Sequence, residues 1–255
     1  MHEFTLTGSN TRLRYHDFPG EGIPILFIHG LGCAGSFDYP EVACQPPLTR
    51  HRRILIDLLG SGFSDKPHDF SYTVRDHAEY LLDFVASLDI GCFVLYGHSL
   101  GGAVAISLAD RCRDRVASLV LSEASLDGGG LTSQAIGAYS EREFLSDGFQ
   151  ATIIQNQQAS DDMWVASVSV TSPTALYRVS RSLNAGQSPS WRDMLYSFPW
   201  PKTFIFGEAS LPNPDRQVLT DHGVHIEVVP HAGHAMAWEN PQGLAEAIKN
   251  GVECR

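Results

Sequence analysis

Cysteine is sparse and unpaired in this sequence. Its five cysteines, Cys33, Cys44, Cys92, Cys112 and Cys254, are odd in number, scattered, and without a CxxC pair. That argues against both a disulfide framework and a zinc site, and favours reduced thiols in a cytosolic protein. No run of Lys and Arg is dense enough to offset a net charge of −11. An acidic surface repels phosphate backbones, so no nucleic-acid partner is expected. No stretch approaches a membrane-spanning length of uninterrupted apolar residues. The start Met1-His2-Glu3-Phe4-Thr5 lacks the basic and apolar regions of a secretory signal. The expectation is a soluble cytoplasmic protein, monomeric or homodimeric, with no membrane association.

With 255 residues, 43% of them hydrophobic, the chain buries a sizeable core. It has room for one large domain or one domain carrying an insertion. Compact apolar runs at 23–28, 53–57, 92–96, 117–121, 203–206 and 225–229 are rich in β-branched residues and stop at Gly, Pro or polar residues. Such continuous runs suit strands buried on both faces of a parallel sheet. Between them, Ala78, Leu81, Leu82, Val85 and Leu88 recur at helical spacing. Alternating strands and helices predict an α/β fold with helices on both faces. The first ~20 residues predict a β-hairpin turning at Gly8-Ser9-Asn10. The alternation breaks once, between Leu121 and Thr203. That segment opens with Gly128-Gly129-Gly130 and shows helix-like stretches around 133–145, 147–158, 161–170 and 173–184. It reads as a helical insertion with a flexible glycine entrance.

Gly97-His98-Ser99-Leu100-Gly101-Gly102 follows one predicted strand and precedes an apolar helix. This is G-x-S-x-G in the strand–turn–helix setting of a nucleophile elbow, with Ser99 projected from a tight turn. His29-Gly30-Leu31-Gly32 follows another strand. The backbone N–H groups of Leu31 and Leu100 would then form an oxyanion hole. Pro230-His231-Ala232-Gly233-His234 follows the last strand, where ligands gather in α/β sheets. His234 is the expected base, with His231 its nearest rival. Asp57 reads as a cap for backbone N–H groups, and His98 as a packed side chain. Trp164, Tyr139, Phe144, Phe149 and Met163 line a pocket or form the insertion's own core; Trp238 is expected to wall the site.

These motifs occur in the order seen in the α/β-hydrolase superfamily, which the sequence resembles over nearly its whole length. The segment Asp57-Leu58-Leu59-Gly60-Ser61-Gly62-Phe63-Ser64-Asp65-Lys66-Pro67 and the Glu239-Asn240-Pro241 run add to the resemblance. It implies an eight-stranded, mostly parallel sheet flanked by helices, with core residues 1–121 and 203–255. A helical cap, residues 122–202, would follow the sixth strand. Relatives often carry the triad acid after the seventh strand as Gly-x-x-Asp, but here Gly207-Glu208-Ala209-Ser210 places serine there. Other members carry it after the sixth strand, where this chain has Glu123. Glu123 is therefore the expected partner of His234, with Asp215 and Glu208 as alternatives.

The resemblance implies a serine hydrolase, carboxylesterase-like, that cleaves an ester or related acyl compound through an acyl-enzyme. No cofactor or metal is implied, and a serine nucleophile argues against a haloalkane dehalogenase. The superfamily also holds C–C bond hydrolases, cofactor-free dioxygenases and lyases, and fold does not decide among them. A ligand-binding receptor with weak turnover is the reading from outside enzymology, motivated by Ser210. Trp164 and Trp238 are the expected substrate-binding residues.

Overall fold

The apolar runs stack side by side because each offers a hydrophobic face to both sides of a sheet. The computed structural model describes residues 1–6, 8–159 and 161–254. Its strands are β1 (His2–Thr5), β2 (Arg12–Phe18), β3 (Gly22–Ile28), β4 (His51–Asp57), β5 (Phe93–His98), β6 (Val116–Ser122), β7 (Lys202–Gly207) and β8 (His225–Val229). They form one sheet in the order β1-β2-β4-β3-β5-β6-β7-β8. β1 pairs antiparallel with β2, and β2 with β4; every other pairing is parallel. The opening hairpin is present, and its polar second strand sits near the sheet edge.

Strand alternation divides the core into two layers. Leu26, Ile28, Ile54 and Ile56 face one side, under helices α1 (Val74–Ser87) and α2 (Leu100–Arg111). Ile25, Phe27, Leu55 and Val94 face the other, under the C-terminal helix. Thr73 caps α1 by accepting from the Asp76 N–H at 3.0 Å. No helix of the described residues is long and apolar enough to cross a membrane.

Between β6 and β7 the described residues form helices: α3 (Leu131–Gly137), α4 (Phe149–Gln158), α5 (Asp162–Val168), α6 (Pro173–Ala185) and α7 (Trp191–Ser197). A helical turn at Glu141–Glu143 and a π-turn at Phe144–Gly148 lead into α4. Helix α7 is absent from the sequence-based expectation. Its signal was local: Ser190 caps the Asp193 N–H at 3.1 Å. Buried Trp191 then donates to Ser107 Oγ on α2 at 3.0 Å, tying the segment to the sheet layer below. Within the glycine run, Gly129 is closely packed. A Cβ on Gly129 would lie 2.0 Å from Asn184 Oδ1 and Ser133 Oγ, so close approach explains the glycine there.

The next three helices follow in order: α8 (Asp215–Asp221), the short turn Met236–Glu239, and α9 (Pro241–Glu253). Asn240 caps α9 through the Gly243 N–H at 2.8 Å, with Pro241 in its first turn. This fixes the chain just after His234.

Candidate active site

Where β5 meets α2 the chain reverses within one residue. Ser99 adopts φ 52° and ψ −119°, a backbone state disfavoured for residues with a side chain. Neighbouring strands hold it there. The Ser99 N–H donates to the Ser122 carbonyl, and the Ser99 carbonyl accepts from Gly102 and Ser125, each at 3.0 Å. Only glycine fits at 101, because a Cβ would stand 2.2 Å from the Ile28 carbonyl oxygen. Strand β3 and helix α2 thus approach closely, and Ser99 sits at the opening of a helix that favours negative charge.

β6 ends at Ser122, and the next residue is Glu123. Its Oε1 accepts from the Gly207 N–H at 3.0 Å, and its Oε2 meets His234 Nδ1 at 2.6 Å. Burial pushes the Glu123 carboxyl up, but His234, Ser210 and the Gly207 N–H together pull it down to about 2. It is therefore a carboxylate at neutral pH, and His234 Nδ1 donates to it. The serine at position 210 acts as a partner of that carboxylate.

The two alternative acids are engaged elsewhere. Asp215 Oδ2 accepts from Arg192 Nη2 at 3.0 Å, and Glu208 Oε2 from the His231 N–H at 2.8 Å. His231 is almost fully exposed. His98 packs against His234 with ring centres 4.6 Å apart, and its Nδ1 lies 3.0 Å from both the Ser122 carbonyl and hydroxyl oxygens. Burial and the adjacent His234 lower its pKa to about 3, so His98 is neutral. Asp57 accepts from the Ser36 N–H at 2.8 Å and the Phe63 N–H at 2.9 Å, holding two loops at the strand ends. His29 accepts from the Leu58 N–H at Nε2, 3.0 Å, and so donates from Nδ1 to the Gly30 carbonyl at 2.8 Å.

Ser99, His98, Glu123 and His234 line one cavity of about 860 Å³, which Leu31, Trp164 and Trp238 share. Among the described residues, the Ser99 hydroxyl makes no hydrogen bond in this state, and the Leu31 and Leu100 N–H groups have no partner. Catalytic hydrogen bonds are often long before substrate arrives. Trp164 Nε1 donates to the Leu31 carbonyl at 2.8 Å, joining α5 to the loop after β3. Trp238 packs on Phe37 with ring centres 4.9 Å apart. Met163 also lines the cavity. Phe144 is buried in the helical segment's own core, with Phe149 packed against that cluster, while Tyr139 packs on Phe144 with tilted rings and is partly exposed. Several lining residues escaped the sequence reading, among them Asp127, Arg192 and Asp38. Asp38 is buried in the cavity wall, and its sequence neighbours Phe37 and Tyr39 gave no motif to flag it.

A family model described as alpha/beta hydrolase fold matches residues 23–241. The 2-hydroxy-6-oxo-2,4-heptadienoate hydrolase of Pseudomonas putida is 35% identical over 107 residues, 42% of this chain and 38% of that protein. Haloalkane dehalogenase 2 of Mycobacterium bovis is 34% identical over 113 residues, 44% of this chain and 38% of that protein. Each match therefore spans less than half of the curated relative. Among solved structures, a thermophilic esterase from Thermogutta terrifontis shares the fold with a TM-score of 0.79 at 22% identity. That superposition covers 98% of this chain and 97% of the other.

Proposed function

The chain belongs to the alpha/beta hydrolase fold family, and on that premise we propose that it is a serine hydrolase acting on a carboxylic ester or related acyl compound. The observation that carries this reading is the 2.6 Å bond between His234 Nδ1 and Glu123 Oε2, in the cavity lined by Ser99 on its strained turn. With Nδ1 committed to Glu123, Nε2 of His234 is the free basic nitrogen. It takes the Ser99 proton as Oγ attacks the substrate carbonyl. The N–H groups of Leu31 and Leu100 hold the oxyanion, and His234 returns the proton to the leaving alcohol. Water then gives a proton to His234 and attacks the acyl-Ser99. The acid departs and Ser99 regains its proton. Residues 122–202 act as the cap over this site, contributing Trp164 from above the loop after β3.

The Pseudomonas putida hydrolase is named for a dienoate, which carries a carboxylate. Among the described lining residues Arg192 is the sole Lys or Arg, and it is already held by Asp127 at 2.8 Å and Asp215 at 3.0 Å. Among the described lining residues no unpaired Lys or Arg remains to receive a carboxylate, which favours the ester reading. Serine at position 99 likewise disfavours dehalogenase chemistry, which needs a carboxylate nucleophile there.

Fluorophosphonate labelling with peptide mass mapping tests the proposal without knowing the substrate. The expected result is a stoichiometric adduct on Ser99, absent in His234→Ala and at least ~100-fold slower in Glu123→Gln. A folded protein that takes no label, and turns over no ester or thioester, overturns it in favour of a binding protein or non-hydrolytic chemistry.

A further inference from the structure

The cavity contains a buried acid that the proposed reaction leaves unused. Asp38 closes the short helix Gly35–Asp38 and is 5% exposed. It lines the same cavity as Ser99. Its Oδ1 has no hydrogen-bond partner among the described residues, and neither has the hydroxyl of Tyr39. Cys33 and Trp238 stand near enough to draw on the carboxyl, yet neither is in hydrogen-bonding geometry to Oδ1. A buried acceptor left open is costly, and native structures nearly always complete it.

No cation completes it here. None of the ion pairs among the described residues involves Asp38, and Arg192 is engaged by Asp127, Asp215 and the Tyr196 hydroxyl. Burial pushes the Asp38 carboxyl up to about 7 against the pull of Cys33 and Trp238. The surrounding wall is aromatic: Tyr39 and Tyr96 are fully buried, and Trp238 is fixed against Phe37. Such a wall disfavours a charged ligand group but accepts a neutral one that brings a proton to share.

We infer that Asp38 is a substrate-anchoring residue that receives a hydroxyl or N–H group of an uncharged acyl substrate while its carbonyl lies at Ser99. The inference rests on acyl transfer at Ser99 and adds the substrate class: neutral esters or related acyl compounds bearing a hydrogen-bond donor. A carboxylate in the donor's place crowds the buried Asp38 carboxyl and finds no unpaired Lys or Arg among the described lining residues, so it is disfavoured. The site selects by what it lacks as much as by what it offers.

The test compares methyl butyrate with its 2-, 3- and 4-hydroxy derivatives, with 2-hydroxyethyl butyrate, with methyl hydrogen succinate, and with a trimethylammonium ester of matched length. Wild type, Asp38→Asn and Asp38→Leu are each assayed for kcat and KM. In wild type at least one hydroxy ester exceeds methyl butyrate tenfold or more in kcat/KM, chiefly through KM. Asp38→Asn keeps an acceptor oxygen and retains that ratio, but turns over methyl hydrogen succinate more readily than wild type does. Asp38→Leu brings the hydroxy-to-plain ratio to within twofold of one, whatever happens to absolute rates. No hydroxy preference in wild type, an unchanged ratio in both variants, or an Asp38-dependent preference for the ammonium ester overturns the inference. Failure of the underlying chemistry is visible separately, as an unlabelled Ser99 in wild type. In that event calorimetry with 3-hydroxybutyramide decides: binding kept in Asp38→Asn and lost in Asp38→Leu sustains the anchor, and binding equal in all three proteins or absent from wild type removes it.

Discussion

Ser99 holds a backbone conformation that a residue with a Cβ adopts only when its surroundings enforce it. Replacing it by glycine relieves that strain, whereas alanine keeps it. Ser99→Gly is expected to melt above Ser99→Ala by about 2–4 °C in calorimetry, both being inactive. Glu123 carries the opposite kind of tension: it is largely buried, yet ionised. Its folded pKa of about 2 lies below the ordinary 4.5. The stability it contributes is therefore complete above about pH 4.5 and is lost as pH falls toward 2. A shift of that size corresponds to on the order of 3 kcal/mol. Denaturant titrations should show wild type exceeding Glu123→Gln in stability at pH 6, with the gap narrowing clearly by pH 3. An equal gap at both values would mean that Glu123 is not held as the folded geometry indicates.

At the scale of elements, the contact that couples the inserted helices to the chemistry is Trp164 on α5, bonded to the Leu31 carbonyl. The adjoining Gly32 has φ 71°, and a Cβ there would stand 2.8 Å from the indole nitrogen. Helix and loop are thus fitted to each other, and the loop presents the Leu31 N–H. Trp164→Phe removes the bond while keeping most of the ring. With such a bond worth about 1 kcal/mol, kcat should fall roughly fivefold to tenfold with little change in KM. A purely substrate-lining role would move KM instead. Elements of this kind also mark where sequence reading succeeds and fails. The parallel strands were legible because each is a short β-branched run ended by glycine or a polar residue. Ser99 and His234 were legible because their turns need fixed residue types. Helix α7 escaped because it has barely two turns, and its one buried aromatic, Trp191, is invisible to periodicity. Asp38 escaped because a lone acid beside aromatic residues resembles any surface turn until the fold buries it.

Over the whole molecule, a charge of −11 surrounds a cavity whose arginine is already paired. Anionic substrates approach against that field and neutral ones do not. Raising NaCl from 10 to 300 mM should increase kcat/KM for methyl hydrogen succinate and leave that for methyl butyrate unchanged, since screening acts only on the charged ligand. The place of the acid has a wider consequence. Glu123 leaves the end of β6, yet it is bonded by the Gly207 N–H at the end of β7 and steadied by Ser210 in the turn that follows. Two loops thus converge on one imidazole, and either could house the carboxylate. Ser210→Asp placed in a Glu123→Gln background should recover part of the turnover lost in Glu123→Gln alone. If it does, the fold has two interchangeable seats for the acid, and a lineage could pass it from one strand to the next through an ancestor bearing both, without an inactive step between.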